Sequence, residues 1–199
     1  MKTLSCLCGS QRRDSLNHRL LEDVAARLSG QCHLDMLTNA DVDLPVFNQD
    51  LERRPELVAR ASALHARLAA SDGIIVASPE YNGLPTPYLT NLVAWVSRLE
   101  HVDLRFGNPF RGKPLLLCSA STGHSGGALA VPHARALFEY VGCAVADEVL
   151  CVPYADRVSD CDGFNFDPLF DAEVDEVVER FLRRVETSGA NCPDALAAS

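Results

Sequence analysis

Gly73-Ile74-Ile75-Val76-Ala77-Ser78-Pro79-Glu80-Tyr81-Asn82-Gly83 joins a short β-branched run to a loop, and Leu89, Leu92, Val93 and Val96 then recur at helical spacing with Trp95 among them. The run from Gly73 to Ser78 is continuously apolar, as expected of a parallel strand covered on both faces. Strand, loop and helix in that order put the loop at the carboxyl edge of an open α/β sheet, where such folds hold ligands beyond the strand ends. Within the loop, Tyr81 offers a flat apolar face and Asn82 both a donor and an acceptor, a pairing suited to a planar heteroaromatic ring. The same residues also make an ordinary turn. The loop alone does not separate the two readings.

A second informative stretch lies upstream. Thr3 to Cys8 reads as a first strand, and helical spacing begins at Leu16 and continues through Leu20, Leu21, Val24 and Leu28. Between them, Gly9-Ser10-Gln11-Arg12-Arg13-Asp14-Ser15-Leu16-Asn17 sets hydroxyls, guanidiniums and an amide at a helix N-terminus. Free backbone N–H groups and the macrodipole favour an anion there, so a phosphate can be held without a metal. The alternative is that Ser15 only caps the helix while Arg12 and Arg13 are solvated.

The remaining segments extend the alternation. Cys32 to Leu37 is a weaker strand, and the irregular stretch Val42 to Asp50 is placed over the ligand edge. Pro55 opens a helix through Leu57, Val58, Ala61, Leu64, Leu68 and Ala69. Leu115 to Ser119 is a fourth strand, and Ala120-Ser121-Thr122-Gly123-His124-Ser125-Gly126-Gly127 is a third loop at the same edge. His124 there is read either as a general base or as a solvated loop histidine. A helix through Ala130, Ala134, Leu137, Phe138 and Val141 follows, then a fifth strand from Ala144 to Leu150 and a last amphipathic helix from Val174 to Val185. Residues 1–187 are expected to form one domain and 188–199 a flexible tail.

Composition narrows the function classes. The chain has 199 residues, 47% of them hydrophobic, enough for one domain with a real core. Its net charge of −9 is concentrated between Asp147 and Arg180, where eleven acidic residues face only Arg157 and Arg180. This acidic segment is expected to be solvated surface. With no broad basic face, nucleic acid is not an expected partner. No stretch reaches the length of a membrane span, and the N-terminus is unlike a secretory signal, so a cytoplasmic protein is expected. Cys6, Cys8, Cys118, Cys143 and Cys151 fall in or beside strands and read as buried thiols of a reducing compartment. Cys161 and Cys192 are the candidates for an exposed, redox-sensitive thiol. No ligand spacing points to a metal.

Competing phosphate motifs are incomplete. No G-x-G-x-x-G follows the first strand, and Gly107 to Pro114 imitates a Walker sequence only until Pro114, where Ser or Thr is required. Gly123-His124-Ser125-Gly126-Gly127 spells G-x-S-x-G, but it is read as part of the third loop and not as a hydrolase nucleophile elbow.

Five strands alternating with five helices call for a doubly wound parallel sheet with right-handed crossovers. In the flavodoxin-like order 2-1-3-4-5, the loops after strands one and three are neighbours at the switch point, where FMN sits in such folds. At Gly9-Ser10-x-Arg12-x-x-Ser15-x-Asn17, Leu44-Pro45-x-x-Asn48-Gln49-Asp50, Ser78-Pro79-Glu80-Tyr81-Asn82-Gly83 and Ser121-x-Gly123-x-x-Gly126-Gly127, the chain resembles the NADPH-dependent FMN reductase family, which includes quinone, chromate and azo-dye reductases. The resemblance implies that Ser10, Arg12, Ser15, Leu16 and Asn17 hold the FMN phosphate end. It also implies that Pro79, Glu80, Tyr81, Asn82 and Gly83 line the ribityl chain and ring, and that Ser121 and Gly123 close the pyrimidine side.

The activity so implied is ping-pong hydride transfer from NADPH or NADH to FMN and on to a small-molecule acceptor: a quinone, azo compound, metal oxyanion or free flavin. The flavin carries the chemistry, so no catalytic side chain is expected. A flavodoxin-like electron carrier or flavin-binding regulator is the alternative. A homodimer or homotetramer is also implied. Thr90-Asn91-Leu92-Val93-Ala94-Trp95 stands where Lys-Asn-Ala-x-Asp-Trp is usual, and Thr122 replaces a usual proline, so subunit contacts through that helix differ from the common pattern.

Overall fold

The computed structural model describes residues 1–160 and 163–188. Five strands, β1 (Thr3–Cys8), β2 (His33–Leu37), β3 (Gly73–Ala77), β4 (Pro114–Ala120) and β5 (Ala144–Val152), form one sheet in the order β2-β1-β3-β4-β5. Every neighbouring pair is parallel, as βαβ connections require. Helices α1 (Leu16–Arg27), α2 (Pro55–Ala70), α3 (Pro87–Val102), α4 (Val131–Tyr140) and α5 (Pro168–Ser188) cover its two faces. The expected flavodoxin-like order is the observed one.

Side-chain alternation along the strands builds two cores. Leu4, Cys6 and Cys8 of β1, Ile75 and Ala77 of β3, and Leu116, Cys118 and Ala120 of β4 pack under α1 and α5. Leu7, Ile74, Val76, Leu115 and Leu117 point the other way, under α2, α3 and α4. Both faces of β3 are therefore covered, which explains its unbroken apolar run. At edge strand β2 only Leu37 is fully buried, and its weaker pattern follows.

The C-terminal region departs most from expectation. After β5 the chain forms a small antiparallel hairpin, β6 (Ser159–Asp160) with β7 (Gly163–Phe164). α5 then starts at Pro168, where Asp167 Oδ1 accepts the backbone N–H groups of Leu169 and Phe170. The acidic segment is also not purely solvated. Arg27 on α1 bonds Asp23, Asp171 and Asp175 and so ties α1 to α5. Ser188 still belongs to α5, while the rest of the expected tail, with Cys192, and also Cys161, lie outside the described residues.

The stretch from Val42 to Asp50 does not cover the ligand edge. Pro45 O accepts from Trp95 Nε1 at 2.7 Å and from Asn91 Nδ2 at 3.0 Å, and Phe47 N–H donates to Asn91 Oδ1 at 2.7 Å. These bonds clamp the segment to α3, and Phe47 packs edge-on against Trp95. Among the described residues, no helix is long and apolar enough to cross a membrane.

Candidate active site

Three loops converge at the carboxyl edge of β1, β3 and β4. The first leads into α1 and is shaped by serines. Ser15 is the N-cap, with Oγ accepting from His18 N–H at 3.4 Å, and Ser10 Oγ accepts from Arg12 N–H at 3.3 Å. Both hydroxyls act as acceptors in these bonds, and Ser15 also hydrogen-bonds the Cys8 thiol. Arg12 folds over the loop, donating from Nη2 to Asp14 O at 2.8 Å. The first turn of α1 carries no acidic residue, so its free N–H groups and dipole meet no built-in counter-charge. Burial pushes the Cys8 thiol up, so it stays neutral beside them.

The second loop is held by contact with the first. Gly9 N–H donates to Ala77 O at 2.8 Å, and Thr86 Oγ1 donates to Gly9 O at 2.7 Å while capping α3 through Leu89 N–H. A Cβ at Gly9 would collide with Ser78, coming within 2.7 Å of its Cβ, so only glycine lets these loops approach so closely. Tyr81 and Leu84 exchange two backbone hydrogen bonds of 3.0 and 3.1 Å around Asn82 (φ 55°) and Gly83 (φ 76°). Two consecutive left-handed residues make the tight hairpin turn that Asn-Gly favours. The turn leaves Tyr81 about half exposed at the rim.

The third loop is bound to α1. Asn17, 2% exposed, donates from Nδ2 to Ala120 O at 2.8 Å and accepts Ala120 N–H on Oδ1 at 2.9 Å. Beyond it, Ser121 Oγ accepts Gly123 N–H at 3.2 Å. Ser121 O and Gly123 O accept the N–H groups of Ala155 and Tyr154 at 2.9 and 3.1 Å, which anchors the loop to the segment after β5.

The three loops enclose one hollow of about 500 Å³, mouth included. Ser10, Arg12, Ser15, Leu16 and Asn17 line its first end, Pro79 and Tyr81 its middle, and Ala120, Ser121 and Thr122 its far wall. A neighbouring hollow of about 730 Å³ shares Arg12 and Tyr81 and runs to Thr86, Pro87 and Tyr88. Burial pushes the Tyr88 phenol up to about 12.

Four of the expected contacts lie outside that lining. Glu80 turns away to accept Leu129 N–H on Oε2 at 3.1 Å. Asn82 and Gly83 form the turn tip, and Gly123 spends its carbonyl on Tyr154. Asn17 lines the hollow, but its amide is engaged with Ala120. Ala120 and Thr122 were not foreseen. Nothing about an alanine at a strand end marks it, and Thr122 stands in the third loop but among none of the expected contacts. His124 is exposed and lines neither hollow.

The donor set fits a phosphate monoester joined to a flat polar ring. Two serine hydroxyls, a guanidinium and the uncapped N–H groups of Leu16 and Asn17 converge at one end, where the helix dipole adds to them. Tyr81, Pro79 and the backbone around Ser121 make the other end apolar and hydrogen-bonding by turns.

Comparison with known proteins gives the same picture. Residues 1–156 match the NADPH-dependent FMN reductase family. A 2-hydroxy-1,4-benzoquinone reductase of a Burkholderia species is 31% identical over 147 residues, 74% of this chain and 73% of that protein. A quinone reductase of Escherichia coli is 27% identical over 142 residues, 71% and 72% of the two chains. The solved structure of FerB, a flavoenzyme NAD(P)H:(acceptor) oxidoreductase from Paracoccus denitrificans, superposes with a TM-score of 0.80 at 27% identity, covering 94% of this chain and 99% of that one. The chain thus belongs to the NADPH-dependent FMN reductase family, enzymes that use FMN with NAD(P)H.

Proposed function

We propose that the hollow between the three loops is the FMN site and that the enzyme passes electrons from NAD(P)H to a quinone-type acceptor in two half-reactions. The observation that supports this most is one continuous lining from the Ser10–Asn17 donors to Tyr81 and Ser121. Ser10 and Ser15 donate hydroxyl protons to the phosphate, Arg12 supplies charge, and Leu16 and Asn17 contribute backbone N–H groups. Tyr81 and Pro79 support the ring, and Ser121 and Thr122 border its polar edge. Glu80, Asn82, Gly83 and Gly123 act one step back, setting the loop shapes through the bonds described above.

FMN supplies the hydride-accepting and electron-donating chemistry that the polypeptide lacks. The protein binds, orients and shields. The reductant and the acceptor take turns at one open face beside Tyr81, and the kinetic form is ping-pong. Quinone-named relatives at 27% and 31% identity favour a quinone over an azo compound, a metal oxyanion or free flavin.

A homodimer or homotetramer is part of the same reading. Val46 is 85% exposed on the segment clamped to α3, and Leu84 is 51% exposed just before that helix. Both are apolar and suited to burial by a second copy. Cys6, Cys8, Cys32, Cys118, Cys143 and Cys151 are free thiols, which suits a cytoplasmic location.

Steady-state kinetics of the FMN-loaded enzyme with NADPH and 1,4-benzoquinone test the proposal. Parallel double-reciprocal lines are expected. Intersecting lines, or flavin reduction by NADPH too slow to support turnover, would move the protein to the electron-carrier alternative.

A further inference from the structure

A second cavity opens beyond β5, and the flavin reading leaves it unused. It measures about 690 Å³ with its mouth, more than the hollow assigned to FMN. The family match stops at residue 156, so Arg157, Val158, Phe166, Asp167 and Phe170 in its wall lie outside the matched segment.

The chemistry of the wall is selective. Val152, Pro153 and Val158 give it aliphatic surface, and Phe166 and Phe170, packed edge-on at 5.0 Å, give it an aromatic side. Two charged groups reach it. Asp167 is engaged as the cap of α5. Arg157 lies over the Tyr154 ring, its Cζ 4.5 Å from the centroid, and among the described residues no ion pair takes its charge. A guanidinium presented beside aromatic walls matches a planar ring bearing a carboxylate: the head group pairs with Arg157 and the ring lies against Phe166 and Phe170.

Tyr154 also carries an unusual backbone. Its φ of 47° is in the left-handed region, uncommon for a bulky residue. That conformation aims its N–H at Gly123 O and lets its carbonyl accept Arg157 N–H at 2.8 Å. The same residue therefore lines the second cavity and touches the third active-site loop through its backbone.

We propose that this cavity is a second ligand site, specific for planar aromatic carboxylates, and that its occupancy is felt at the FMN site through the Tyr154–Gly123 and Ala155–Ser121 hydrogen bonds. Binding at the cavity needs no flavin. The coupling rests on FMN lying beside Ser121.

The test is calorimetric titration of 2-naphthoate and of the neutral 2-naphthylmethanol, with and without bound FMN. One site per chain is expected in both states, with the carboxylate binding at least tenfold tighter than the alcohol. Arg157→Gln should remove that preference, and Val158→Trp, which fills the cavity from its wall, should abolish binding. Saturating naphthoate should change the FMN dissociation constant by threefold or more, through Tyr154. Absence of saturable binding, equal affinity for acid and alcohol, wild-type binding by Val158→Trp, or displacement of naphthoate by FMN each overturns the site. An FMN affinity indifferent to naphthoate overturns the coupling. Failure of FMN to bind at all contradicts the flavin reading and leaves the naphthoate arms standing on their own.

Discussion

Replacing Asn17 with alanine separates two roles that one residue can play at this site. In the structure its amide is spent on the backbone of Ala120, with both bonds buried and 2.8 and 2.9 Å long. Asn17→Ala leaves an N–H and a carbonyl at the end of β4 without that partner. A buried group so stranded costs about 1–3 kcal/mol, so the pair costs about 2–6 kcal/mol. At 2–4 °C per kcal/mol for a chain of this length, a mid-range loss of about 4 kcal/mol lowers Tm by about 8–16 °C. Calorimetry on the flavin-free protein measures this directly. The variant also frees the third loop, which borders the ring and not the phosphate. Flavin fluorescence titrations should then show FMN and riboflavin, which lacks the phosphate, losing affinity by the same factor. If Asn17→Ala kept its Tm and its riboflavin affinity while losing FMN, the amide would be a phosphate ligand and not a tie between α1 and the end of β4.

Further outcomes follow from the same geometry. Arg12→Ala combined with Ser15→Ala should weaken FMN by roughly 2–4 kcal/mol through lost charge-assisted and neutral hydrogen bonds. Riboflavin affinity should be untouched, and an equal loss for both flavins would place the phosphate elsewhere. Ser119 Oγ is buried with no hydrogen-bond partner among the described residues. Ser119→Ala should therefore raise stability by about 1 kcal/mol in urea unfolding, whereas a clear loss would reveal a partner such as an ordered water. Burial alone would raise the Asp72 carboxyl, but Thr3 N–H and the Lys2 ammonium hold it below its ordinary value. A carboxyl depressed in the folded state stabilises the protein above about pH 4 and loses that contribution as pH falls through its folded pKa. Asp72→Asn should flatten the acid limb of stability between about pH 4 and pH 2, as followed by circular dichroism. Superimposable acid limbs would remove the effect.

The sheet was legible because its signals are local. The β-branched run of β3, the Pro87 start of α3 and the caps of α1 each sit within a few residues of the element they define. The hairpin of β6 and β7 was not legible, since two-residue strands have no period to detect. The early start of α5 is signalled by Asp167-Pro168, a cap followed by a proline at the first helical position, while the apolar spacing begins only at Val174. At the site, the residue types mark the three loops that line the hollow, but not which of their side chains are engaged within the protein. Asn17 looks like a ligand donor because its partner, Ala120, lies 103 positions away. Glu80 sits inside a ring-binding motif, yet its carboxylate serves Leu129. Asn82-Gly83 is among the strongest short hairpin signals, and the structure uses it for that turn.

A crystal structure of the protein loaded with FMN decides where the flavin lies. The phosphate is expected within hydrogen-bonding distance of Ser10 Oγ, Ser15 Oγ and the N–H groups of Leu16 and Asn17, with the ring between Tyr81 and Ser121. A flavin found in the cavity beside Arg157, or a hollow between the three loops left empty at saturating FMN, would contradict that placement.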